Sequence, residues 1–354
     1  MKYYIAERKP IAKNMKNAAN KARADVEKIL EDTGYQKIDI TIPYKGKQSA
    51  FASIKESYRN VKIWEKKLDG LSAGDEVVIQ FPVLSKNVFL SHLLKKLNRK
   101  NIKIVILIHD LESLRYINKT HLSLGRKIRL RVEEKPILSQ ASGIIVHNDK
   151  MGQYLIDSGY DSKKISSLEI FDYLHDESFA ISPKTKTNEL IIAGNLDANK
   201  IGYLKFINQV KGVHLQLFGA NYTAPEHSDN ITYNGSFLPE DLPENLHGSF
   251  GLIWDGDSIN SCTGVYGDYL KYNNPHKTSL YLSTGFPVIV WNHAAMADFV
   301  LKEKVGFVVT SLNDIANVIA NLSEEEYKEM LVNVAKVSER LRQGYYLKKS
   351  LGTF

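Results

Sequence analysis

Short, almost uninterrupted apolar runs recur along this chain at residues 2–6, 37–42, 76–81, 102–108, 143–146 and 164–168, and again at 189–193, 214–218, 251–254, 287–290 and 307–309. Such runs suit β-strands buried on both faces, and the segments between them, such as 14–31 (ended by Gly34), 88–97 and 150–156, carry helical spacing. This alternation predicts an α/β protein with parallel sheets covered on both faces by helices and with ligand loops at the carboxyl ends of the strands. Gln80-Phe81-Pro82, His109-Asp110 and His147-Asn148 each lie just past an apolar run, where such loops begin.

Between residues 171 and 187 the pattern lapses into a polar stretch broken by Pro183, which reads as an interdomain linker. The chain therefore divides into two α/β halves, residues 1–170 and 171–337. The tail, residues 324–350, is helical in character, and its end (338–354) is long enough to cross back onto the first half.

The most informative stretch is 250–290, FGLIWDGDSINSCTGVYGDYLKYNNPHKTSLYLSTGFPVIV. It reads as strand, polar loop, helix, turn and strand. The helix would begin near Asn274-Pro275-His276-Lys277-Thr278, where free N–H groups and the positive end of the helix dipole meet an anion. A lysine at a helix start is electrostatically misplaced unless an anion is present, so Lys277 is the first candidate for binding a phosphate, with His276 as an added donor. Gly194-Asn195 and Asn199-Lys200 follow the first strand of the second half; they suit an ordinary βα turn as well as a companion ligand loop.

With 354 residues and 43% hydrophobic content the chain is long enough for two ordinary cores. Its net charge is +7, from 47 Lys+Arg against 40 Asp+Glu, without a sustained basic tract. The local clusters at 95–100 and 126–131 read as solvated helix faces or as contacts to an anionic membrane surface; no nucleic-acid module accompanies them. The single cysteine, Cys262, agrees with a reducing compartment, and no apolar run approaches the roughly 20 residues that cross a bilayer. The expected place is the cytoplasm, with peripheral contact at the inner face of the membrane.

GDEVVIQFP (74–82), IKIVILIHDLESLR (102–115), AGNLDANKIGYL (193–204), the 250–290 stretch and GFVV (306–309) resemble a bacterial family of GT-B glycosyltransferases. Its members are galactofuranosyltransferases and the related glucosyltransferases that extend O-linked GlcNAc on serine-rich adhesins. The resemblance runs through nearly the whole chain and leans toward the galactofuranosyl branch. It implies two Rossmann-like domains facing across a cleft, and metal-independent transfer of a hexose from a UDP-sugar to a glycan or glycolipid. It also implies that Gly194, Asn195, Asn274, His276, Lys277 and Thr278 hold the nucleotide with Lys200, where an arginine is more usual. Retaining GT-B enzymes carry two glutamates eight residues apart; Tyr272 and Leu280 stand near those places, which favours inversion.

An inverting transfer needs one carboxylate to deprotonate the acceptor hydroxyl, and Asp110, in the half opposite the nucleotide, is the leading candidate. An aspartate there also suits a helix N-cap. Asp268 is the rival and Asp172 trails it. Asp255-Gly256-Asp257 spells the D-x-D by which GT-A enzymes hold a metal, but in a second α/β half it reads better as a pair of hydrogen-bonding groups for sugar hydroxyls. His109, Tyr266, Tyr272 and Asn273 are further substrate-side candidates, Tyr269 and Trp254 lie beside them, and Trp254 is expected mostly buried. Asn17, with Asn20, begins a helix after the first strand and is placed at the substrate by the family pattern. A homo-oligomer is expected. The competing readings are a nucleotide-sugar epimerase of the same fold and a catalytically silent partner subunit of a glycosyltransferase complex.

Overall fold

A computed structural model describes residues 1–8, 18–42, 50–85, 87–117, 130–176, 178–223 and 229–354. Two sheets of six strands carry the architecture, one in each of two units. The first unit takes in Met1–Met15, Val26–Leu168 and Lys348–Phe354, and the second Lys16–Asp25 and Glu169–Leu347.

In the first unit β1 (Lys2–Arg8), β2 (Gln36–Thr41), β3 (Glu76–Phe81), β4 (Lys103–Ile108), β5 (Gly143–Val146) and β6 (Ile165–Ser167) pair in the order β2-β1-β3-β4-β5-β6, every pair parallel. Register between β3 and β4 sets Glu76 opposite Lys103, and their side chains close an ion pair of 3.0 Å. In the second unit β7 (Glu189–Ala193), β8 (His214–Phe218), β9 (Ile231–Tyr233), β10 (Phe250–Ile253), β11 (Val288–Trp291) and β12 (Gly306–Val309) pair in the order β12-β11-β10-β7-β8-β9, again all parallel. The sequence expectation of two parallel α/β sheets is met. Central strands such as EVVIQF and KIVILI are buried almost throughout, the mark of a parallel sheet covered on both faces.

The helices that matter below are α1 (Ala18–Asp32), α2 (Ala50–Leu68), α3 (Leu90–Arg99), α4 (Gly264–Tyr269), α5 (His276–Ser283), α6 (Glu324–Arg342) and α7 (Tyr345–Leu351). Three features depart from the sequence reading. The stretch after β10 is not loop throughout, because α4 forms inside it. The tail is not one helix: Gly344, at φ +70°, separates α6 from α7. The polar stretch expected as a linker is irregular, and its start is packed, with Phe171, Asp172 and Tyr173 buried and Ser279 Oγ donating to Phe171 O at 2.6 Å. Among the described residues no helix is long and apolar enough to cross a membrane.

In the second sheet the chain runs from β7 outward to β8 and β9, then returns to the other side of β7 with β10. The crevice between the loops after β7 and β10 is thus the point where strand order reverses, the usual ligand position in open parallel sheets. Helix α5 is seated there by Tyr281, whose ring lies over Gly251 of β10 and whose hydroxyl accepts from Ala193 N of β7 at 2.7 Å. A methyl group on Gly251 would occupy the space of the Tyr281 ring. Gly251→Ala is therefore expected to destabilise the fold by roughly 1–3 kcal/mol, the range for overpacking a filled core. Urea unfolding measures it, and an unaltered midpoint would mean that Tyr281 does not fix α5 to the sheet.

Candidate functional site

The loops that leave β7 and β10 are tied together before any ligand is considered. Gly256 N donates to Lys200 O at 2.8 Å, and Tyr203 N donates to Gly256 O at 3.0 Å. Asp197 shapes the first of these loops: Lys200 N and Ile201 N both donate to Asp197 O, at 2.8 and 3.0 Å, and Asn199 N donates to Asp197 Oδ1 at 2.9 Å. This turn brings Lys200 to the crevice. Gly194, at φ +116°, opens it, and Asn195 Oδ1 accepts from Asn221 Nδ2 at 2.9 Å and from Asp197 N at 3.2 Å.

Asp255 closes the other side. The residue is 5% exposed and takes Lys277 Nζ on Oδ1 at 3.0 Å, while Lys200 Nζ stands 4.0 Å from Oδ2. Lys277 Nζ also donates to Trp254 O at 3.4 Å, and its third proton has no acceptor among the described residues. Burial pushes the Lys277 ammonium below the usual lysine range; Asp255 pulls it back and Lys200 presses it further down. Three sequence candidates thus meet in one crevice.

Lys277 is the second residue of α5, whose N-cap, Pro275, offers no side-chain cap. Thr278 is fully buried and its Oγ1 has no partner, nor do His276 Nε2 and Asn273 Oδ1. Orphaned polar atoms around an uncapped helix start are what a polar ligand would satisfy. His276 packs against Tyr173, ring centroids 5.0 Å apart, and burial, aided by the Lys21 charge, pushes its pKa down to about 3. It is a neutral imidazole near pH 7 and can donate one hydrogen bond but no charge. Asn274 is buried and donates to Glu169 O at 3.0 Å, which fixes the loop.

The remaining candidates of this unit sit around the rim. Asp257 is exposed and its carboxylate lies over Gly202, so that a side chain there would collide with it. Asp268 pairs with Lys271 at 2.8 Å. Tyr266 is 39% exposed, Tyr272 is half-buried, and Tyr269 and Trp254 are buried, the last as expected. Asp172 is occupied by the start of α7, accepting from Tyr346 N at 3.1 Å and Leu347 N at 2.8 Å. Residues that the sequence reading passed over are Asp197, Tyr173 and Tyr203, the last fully buried with an unpartnered hydroxyl in the field of Asp255. None stands out by spacing or composition.

In the first unit Asp110 follows β4 and pairs through Oδ2 with Arg115 Nη2 at 2.7 Å. Both line a hollow of about 270 Å³ with Phe81, cis-Pro82, Glu112, Leu130, Glu133 and Glu134. His109 Nε2 lies 2.7 Å from Gln80 Oε1. Asn17 lies outside the described residues, whereas Asn20 is exposed on α1.

Two units, each with a parallel six-stranded sheet, give the chain the GT-B fold, and its relatives make it a glycosyltransferase. Solved sucrose-phosphate synthase from Thermosynechococcus elongatus has the same fold, with a TM-score of 0.62 over 99% of this chain and 98% of that one at 14% identity. The chain belongs to the Glucosyltransferase 3-like family, whose N-terminal domain model matches residues 2–170 and whose C-terminal domain model matches 190–354. It is similar to beta-1,6-galactofuranosyltransferase WbbI of Escherichia coli (strain K12), 36% identical over 346 residues that cover 95% of this chain and 94% of that one. Glucosyltransferase 3 of Streptococcus gordonii is 29% identical over 300 residues, 81% of this chain and 82% of that one.

The neutral His276, half-buried with its Nε2 out of reach of solvent, has a consequence for stability. The unfolded imidazole, with its ordinary pKa of 6.5, gains a proton that the folded one refuses until about pH 3, so stability is lost as pH falls below 6.5. At pH 5 this amounts to about 2 kcal/mol. Between pH 7.5 and 5.0, His276→Gln should lose less stability than the parent chain by that amount, read from urea unfolding. Equal losses would show that His276 is not held neutral.

Proposed function

We propose that the chain transfers a hexose, galactofuranose in the first instance, from a UDP-sugar to a glycan or glycolipid acceptor, with inversion and without a metal ion. The observation that carries the proposal is the Lys277 ammonium, buried beside Lys200 at the uncapped start of α5. That arrangement suits a diphosphate leaving group, whose charge grows as the glycosidic bond breaks. The galactofuranosyl donor is supported by the name of the E. coli relative and by its similarity along nearly the whole chain. A metal is disfavoured at Asp255, because its carboxylate already faces two ammonium groups. The epimerase and silent-subunit readings gain nothing from the relatives. A cytoplasmic position, peripheral contact with an anionic membrane surface and self-association remain part of the proposal; the exposed Lys95, Lys96, Arg99 and Lys100 in and after α3 support the surface contact.

In this reaction the acceptor hydroxyl loses its proton to a carboxylate, its oxygen attacks the anomeric carbon, and UDP departs with the bonding pair. Asp110, oriented by Arg115 at the hollow in the first unit, is the proposed base. Asp268 belongs to the nucleotide-binding unit and is tied to Lys271.

Lys277→Ala should weaken UDP binding by about 1.5–3 kcal/mol, the scale of a charge-assisted hydrogen bond to an anion. Calorimetric titration in EDTA measures it. An unchanged dissociation constant removes Lys277 from the site, and parent-chain binding that appears only on adding manganese returns Asp255 and Asp257 to a metal role.

Asp110→Asn should keep UDP affinity while turnover falls roughly 100-fold or more, the lower range for a lost general base. Turnover of Asp268→Asn under the same conditions is the comparison. Normal turnover by Asp110→Asn beside an inactive Asp268→Asn would move the base to the second unit.

A further inference from the structure

We infer that Asp255 is a positioning residue, whose buried carboxylate keeps the Lys277 ammonium charged and holds it side by side with Lys200, both aimed at one diphosphate. This rests on the nucleotide reading above. Asp255 is 5% exposed, and its two oxygens face different lysines, Oδ1 at 3.0 Å from Lys277 Nζ and Oδ2 at 4.0 Å from Lys200 Nζ. The lysines come from different elements, the loop after β7 and the start of α5, and neither has another carboxylate within ion-pair distance among the described residues. Without Asp255 two like charges would lie together with no other carboxylate in ion-pair reach among the described residues, and Lys277, 10% exposed against 29% for Lys200, would shed its proton the more readily.

The groups around Lys277 are few enough to give the sign. From the loop after β10 come Asp255 and Cys262; from the β7 side come Lys200 and Tyr203; from α5 itself come His276 and Tyr281. Burial pushes the Cys262 thiol and the Tyr203 and Tyr281 hydroxyls up and the His276 imidazole down, so all four are neutral between pH 6 and 9. Among the described residues only Asp255 and Lys200 then act on Lys277 as charges, and they act in opposite directions. Removing either therefore shifts the proton affinity of Lys277 in a known sense.

The test is UDP affinity against pH, by calorimetry on the full chain. UDP's own ionisations are common to every variant, so only differences between variants count. Asp255→Asn should move the alkaline limb of binding to lower pH by about one unit or more, the scale of one close opposite charge. It should bind close to the parent level at pH 6. Asp255→Glu, which keeps the charge, should restore the parent profile, and Lys200→Gln, though weaker overall, should move the limb to higher pH.

A limb for Asp255→Asn that coincides with the parent, or a loss equal at every pH, overturns the inference. Should the amide variant fail to fold, Asp255→Ser takes its place, and the upward shift in Lys200→Gln stands as an independent requirement. A parent chain that binds no UDP at any pH defeats the functional reading instead. The inference is then read by NMR from the Lys277 Cε resonance, identified by its loss in Lys277→Arg, which must titrate at lower pH when Asp255 is replaced by Asn.

Discussion

A buried ammonium must be paired or must lose its proton, and that requirement at Lys277 organises the second unit. Its partner, Asp255, belongs to the loop after β10, and that loop is bonded through Gly256 to the turn that carries Lys200. The three side chains converge only if β7 and β10 lie next to each other and α5 is held down on them. Tyr281 over Gly251 supplies the second condition, and the reversal of strand order supplies the first. The charge arrangement and the sheet topology are therefore one constraint seen at two scales.

The strands were legible because apolar residues fall on both of their faces: KIVILI is apolar after its first residue, EVVIQF carries Val78 between Glu76 and Gln80, and a sheet covered on both sides buries such segments. The edge strand β9 was not legible, since ITY is three residues long and two of them are exposed. Helix α2 was not singled out although Val61, Trp64 and Leu68 give it a buried stripe at helical spacing. The packed strap at 171–173 misled for a different reason. Its burial comes from partners distant in sequence, Ser279 on Phe171 and the start of α7 on Asp172, which no local pattern records.

At the candidate site the same distinction holds. Lys277 was legible because a cation at a helix start contradicts the helix dipole. Asp255 was noticed only as half of a D-x-D, because its tie to Lys277 spans 22 residues and its tie to Lys200 crosses to another strand. Its neighbour Asp257 shares the triplet but not the environment: one carboxylate is buried between lysines, the other is exposed over Gly202. A motif of spacing treats the two as equivalent, and burial separates them.

The first unit is built on the same plan with a different use of its switch point. There the strand order reverses between β1 and β3, and the crevice is stitched by Glu7, whose carboxylate accepts from Leu84 N and Ser85 N of the loop after β3. The carboxylates of Asp110 and Glu112 belong instead to the chain after β4, one strand further along, around a hollow whose lining among the described residues is several acids and the Arg115 guanidinium. Neutral or basic hydroxyl-bearing ligands suit such a lining, whereas a diphosphate does not. The second unit has the reverse character, cations and uncapped N–H groups. Among the described residues the two units thus differ in charge at their strand-end loops, and the proposed separation of an anionic leaving group from the hydroxyl that replaces it would use that difference.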